Sequence, residues 1–215
     1  MKDLLFNPSL FFSEKSKNAV SFKYPVLIVL VNAILSIGSS ILIMNKVKEI
    51  LPLDENSFMP YIILGSVIVS VIVSLFGTFV YWIIFTGILY LISSLFNSKG
   101  SFKRTLEFVG YGFVPQIFGV IVNFFVMYYL LPSVHISAQN PQLFSESFSQ
   151  VLANNPLSFA AEIFVILCFL LSANIWTFAL VHARNMSTKN AILTVGVPVG
   201  LTLAYQIYSL IGGLT

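Results

Sequence analysis

The chain has 215 residues, 57% hydrophobic and only 9% charged, with a mean hydropathy of +0.92. A soluble domain carries about a quarter of its residues as charges, and any water-facing globule must expose much of its surface. Composition therefore excludes a soluble fold and predicts an all-α polytopic membrane protein, in which the net charge of +3 marks membrane flanks rather than a nucleic-acid partner.

The first 18 residues, MKDLLFNPSLFFSEKSKN, have no continuous apolar core and no small-residue cleavage site, so the first span is expected to direct insertion. Within them Asn7 can cap a helix, Pro8 suits its first position, and Leu10, Phe11 and Phe12 supply an apolar surface, which predicts a short interfacial helix. Apolar runs long enough to span follow at residues 25–46, 60–96, 115–131, 158–181 and 189–211. The second would extend about 55 Å as one helix, too long for a flat span and too short for two with a turn. Tilt, a bend near Gly77 or a projection beyond the bilayer is expected to absorb the excess. Small residues at 36–40, SIGSS, suit close helix approach and self-association into a homo-oligomer. Between the third and fourth spans lies a polar loop whose Phe144, Phe148, Val151 and Leu152 recur at helical spacing.

Charge selects the topology. With a single crossing at 60–96, nine of the eleven basic residues fall on one side, and only Lys46 and Lys48 on the other. Two crossings would place the KGSFKR cluster outside, against the positive-inside rule. Five transmembrane helices in a cell-membrane protein, N-terminus cytoplasmic and C-terminus outside, is the expectation.

The stretch FKRTLEFVGYGFVPQ holds the densest basic cluster and runs straight into the third span. On a helical wheel Phe102, Leu106, Val109 and Phe113 share one arc, and Lys103, Arg104, Glu107 and Tyr111 the other. This predicts an amphipathic helix in the cytoplasmic interface, its apolar stripe on the acyl chains. Gly112 and the proline effect on Val114 predict a turn, after which Pro115 opens the span. Two readings of GYGFVP stand: a corner that redirects the chain, or a surface presenting Tyr111 and basic residues to a partner or anionic head groups.

Gly110-Tyr111-x-x-x-Pro115 after a basic SFKRTLE resembles the G-Y-x-x-x-P motif of the YIP family, five-span membrane proteins that interact with Ypt/Rab GTPases. IWTFALVHARNMSTKNAILTVGVP is similar to that family's end of span four and entry into span five, and NPSLFF to the start of its prokaryotic members. The D-L-Y-G-P motif of eukaryotic members does not occur, so the resemblance is to a compact prokaryotic branch. It implies a non-enzymatic, membrane-organising or trafficking-type scaffold that meets a membrane-protein or small GTPase partner at its cytoplasmic face, with Lys103, Arg104, Gly110, Tyr111 and Pro115 as interaction residues.

No phosphate-loop, zinc-protease or nucleophile-elbow motif occurs, and His135 and His182 are expected on opposite faces, so no catalytic residue, metal or cofactor is assigned. The single cysteine, Cys168, lies in an apolar run and forms no internal disulfide. Polar residues inside the spans are the remaining candidates. Asn32, Asn123 and Asn174 are expected at one depth, able to form a hydrogen-bonded layer, and Glu162 and Gln206 at another. They either join helices or serve a small transporter or channel, the alternative function. VGVPVG at 195–200 predicts a kink in the last span.

Overall fold

A computed structural model describes residues 2–50, 59–133, 150–152 and 155–212. Its helices are α1 (Lys2–Phe6), α2 (Pro8–Ser16), α3 (Lys23–Ile50), α4 (Met59–Ser94), α5 (Phe102–Tyr111), α6 (Val114–Leu130), α7 (Pro156–Arg184) and α8 (Thr188–Gly212). Residues 150–152 are also helical, Leu131–Ser133 form a 3-10 turn, and no strand occurs among the described residues. Five helices, α3, α4, α6, α7 and α8, are long and apolar enough to cross a membrane, and the chain is an all-α multi-pass membrane protein.

Local chemistry sets the helix starts. Asn7 accepts from the Leu10 amide at 3.2 Å with Pro8 next in line, as the sequence predicts. Ser101 caps α5 through the Arg104 amide, and Asn155 caps α7 through that of Leu157. α7 ends at Asn185, which adopts the left-handed conformation at φ 49°. α4 is a single helix of 36 residues, and α8 continues unbroken through Pro198.

The spanning helices close a ring. α3 packs on α4 and α6, α6 on α7, α7 on α8, and α8 returns to α4. One end of this ring gathers α1, α2, α5, the C-termini of α4 and α7 and the N-termini of α3 and α8, and with them nine of the eleven basic residues. We term it the basic end.

Packing is uneven along the ring. Among the residues whose burial is described, those buried in α3 end at Ala33 and those in α4 begin at Trp82, while the last in α8 is Val199, so the main core lies toward the basic end. Beyond it the SIGSS residues serve contacts inside the chain. Ser36 and Ser40 donate to carbonyls of their own helix, and a Cβ on Gly38 would lie 3.2 Å from the Phe124 ring. The predicted amphipathic pattern at Phe144 and Phe148 lies outside the described residues, as does His135; Leu152 packs, half-buried, against Val126, Leu130 and Ala161.

Candidate functional site

α5 does not lie on the acyl chains. It inserts between the ends of α3, α4 and α7 and plugs the ring at its basic end. Two tryptophans hold it by its carbonyls: Trp82 of α4 donates to Leu106 O at 3.1 Å, and Trp176 of α7 to Val109 O at 2.9 Å. Close approach explains the glycines. A Cβ on Gly110 would come within 2.7 Å of Pro25, and one on Gly112 would overlap the Trp176 indole. Next to them the Asn32 amide of α3 donates to Phe113 O at 3.3 Å, pinning the corner.

The face expected to be wet is covered as well. Glu107 is 0% and Tyr111 1% exposed: Phe11 and Lys15 of α2 lie over Tyr111, while Arg104 and the Ser21 backbone meet Glu107. Phe12 meets Phe108 at 4.8 Å between ring centroids, and Phe11 meets Tyr111 edge-on at 5.2 Å. A helical wheel identifies the polar side of a helix but not what covers it. Here the aromatic surface of α2 buries against α5, so neither helix spreads its apolar face over lipid.

A compact charge cluster results. Arg104 pairs with Glu107 at 2.8 Å, donates to Asn18 O, and lies 5.3 Å from the Phe108 ring centroid. Lys15 Nζ sits 5.5 Å from the Tyr111 ring and 5.6 Å from Tyr24. Burial raises the Glu107 carboxyl above its ordinary value, opposed by a backbone bond at Ser21 and by Arg104 and Lys15. Burial likewise raises the Tyr111 phenol, with Lys15 opposing.

Of the motif residues named from sequence, Gly110, Tyr111 and Pro115 are buried, Arg104 is half-buried and engaged, and Lys103 alone is exposed. The corner redirects the chain.

Arg184, one of the nine clustered basic residues, does more than mark topology. Arg184 is 3% exposed, 4.0 Å from the Tyr90 ring centroid, and has no carboxylate partner among the described residues. Its guanidinium donates to Ser93 Oγ and Ser94 Oγ at 3.0 Å each, and to the carbonyls of Ser98 and Gly100, while its own carbonyl accepts from Lys99 N at 2.9 Å. This clamp joins the ends of α4 and α7 through the 95–101 turn. The available signal was a tryptophan inside a predicted span, whose N–H must find a partner when buried.

The intramembrane polar residues do not form one layer. Asn32 is buried and bonded to Ile28 O and Phe113 O, whereas Asn123 and Asn174 are exposed on α6 and α7, and no hydrogen bond joins the three. Their similar distance from a span end sets depth, but not which way each helix turns its side chain. Gln206 lines a cavity with Asn123; Glu162, half-buried, is outside its lining. His182 meets Ser9 Oγ at 3.3 Å.

The Yip1 domain profile matches residues 2–210. An uncharacterized protein of Methanocaldococcus jannaschii is 35% identical over 128 residues, covering 60% of this chain and 88% of its own length. No solved structure matches the chain.

Proposed function

This chain belongs to the Yip1 domain family, and on that premise we propose that it is a membrane-organising or trafficking-type scaffold of the cell membrane whose basic end faces the cytoplasm. The family is not one of known enzymes, and the reading is non-enzymatic. The observation that carries it is the exposed surface of the basic end: Lys17, Lys23, Lys99, Lys103 and Lys189 are exposed there, with Asp3 and Glu14 as the exposed acids among the described residues. Such a surface attracts anionic head groups at about 1 kcal/mol per basic residue near the membrane, and an acidic membrane-protein or small GTPase partner by the same field. The Gly110-Tyr111-x-x-x-Pro115 corner supports this face from beneath.

Crosslinking and pull-down from native membranes test the reading. Replacing Lys99, Lys103 and Lys189 together with Glu is expected to abolish capture of a partner retained by the parent chain. Identical capture by both would remove the basic face from the function.

A second reading, a small transporter or channel, draws on Asn123 and Gln206 sharing one cavity. Reconstituted protein that moves no solute would sink it.

A further inference from the structure

Beyond the α5 plug the ring is not filled. Two clefts of about 340 and 250 Å³ adjoin there, the first largely open and the second half enclosed, with Tyr81, Gln116 and Val120 in the walls of both. Toward the basic end Phe113 and Phe169, which line them, pack on Trp176 at 5.7 Å between ring centroids. No Asp, Glu, Lys, Arg or His is among the lining residues described.

The polar lining is partly unspent. Thr78 and Thr202 donate their hydroxyls to Ser74 O and Pro198 O, leaving each oxygen as an acceptor. Gln116 Nε2 and Gln206 Oε1 are buried without any hydrogen-bond partner. One is a donor and the other an acceptor, and both residues line the 250 Å³ cavity. A buried polar group left unmade costs about 1–3 kcal/mol, and two residues carrying one line the same cavity, which favours a polar occupant.

The chemistry of the occupant follows. An ionic group would enter a low-dielectric site holding no counter-charge, which is prohibitive. Water takes about 30 Å³ per molecule and needs two to four polar partners, whereas much of this wall is Val120, Val165 and Phe169. An alcohol on a short carbon chain both donates and accepts while offering apolar surface. We propose that the chamber binds the hydroxyl-bearing glyceryl group of an uncharged polyol, either free glycerol or diacylglycerol of the bilayer. This site is distinct from the basic face and independent of its function.

Cys168 lines the 250 Å³ cavity and is the single cysteine of the chain, a native reporter. The full chain in phosphatidylcholine nanodiscs is treated with N-ethylmaleimide, and modification is followed by mass spectrometry. The probes are glycerol, dioctanoylglycerol and dioctanoyl phosphatidate, in which a phosphate replaces the free hydroxyl. One glyceryl probe is expected to slow modification about tenfold at ten times its dissociation constant, while phosphatidate leaves the rate unchanged. Protection by glycerol assigns a free polyol, and protection by dioctanoylglycerol alone assigns the lipid. A Gln116→Leu, Gln206→Leu double variant should lose protection and keep its modification rate. Unchanged rates with both glyceryl probes, equal protection by phosphatidate, or a Cys168 unreactive until unfolding would each overturn the proposal. Should the double variant fail to fold, the parent-chain measurements decide.

Discussion

Arg184, Trp176 and Gly112 show how single side chains hold the basic end. The Arg184 guanidinium, itself buried, satisfies two hydroxyls and two carbonyls around a turn in which Ser93 is buried while Ser94 and Gly100 reach the surface. Arg184→Ala is therefore expected to cost about 2–4 kcal/mol, read as a fall in thermal unfolding temperature in detergent. Trp176→Phe keeps an aromatic ring in the core but removes the donor to Val109 O. Its cost should be smaller, about 1–2 kcal/mol by the same measurement. Gly112→Ala drives a methyl into the indole and is expected to cost about 1–3 kcal/mol by overpacking. If Gly112→Ala is neutral while Trp176→Phe is not, the close approach is relaxed and no glycine is required there, since φ −65° suits any residue.

At the scale of the element, α5 packs against α3, α4 and α7 and receives the aromatic rings of α2, and its Glu107 is fully buried. Its folded carboxyl binds its proton more tightly than the unfolded one because burial outweighs Arg104, Lys15 and the Ser21 backbone. In that case the folded state holds more protons between the ordinary value of 4.5 and the raised value, and stability falls as pH climbs through this window. Glu107→Gln should flatten that decline, an outcome checked by thermal unfolding of both proteins from pH 4 upward. A parallel decline in parent and variant would assign the pH dependence elsewhere. The amphipathic pattern of α5 was legible from residues 102–113, as was its abrupt end before Pro115. Its coverage was not, because the partner surface of Phe11 and Phe12 is about ninety residues away in sequence.

For the whole molecule, the single crossing of α4 separates the basic end from that helix's opposite end. Lys103→Cys and Tyr61→Cys, each in a Cys168→Ser background, occupy exposed positions at the two ends. An impermeant thiol reagent is expected to reach the first only from the cytoplasmic side and the second only from the other. Labelling of both from one side would refute the orientation proposed here. The ring also explains why the intramembrane amides diverge. Asn32 faces the α5–α6 corner, Gln206 and Asn123 face the chamber, and Asn174 faces outward.

The membrane class, the five spans and the grouping of basic residues were determined by the sequence alone, because hydropathy over about 20 residues and the cost of moving charge through lipid are local properties. The helix starts at Asn7 and Pro8 were equally local. Tertiary structure alone decided that Arg184 clamps a turn and that two tryptophans grip α5. It also decided that Tyr111 lies beneath a helix and that Gln116 and Gln206 share a cavity. Each of these depends on which faces of distant helices meet, and hydrophobic periodicity is nearly silent about that when, as in this chain, the helices are apolar on every side.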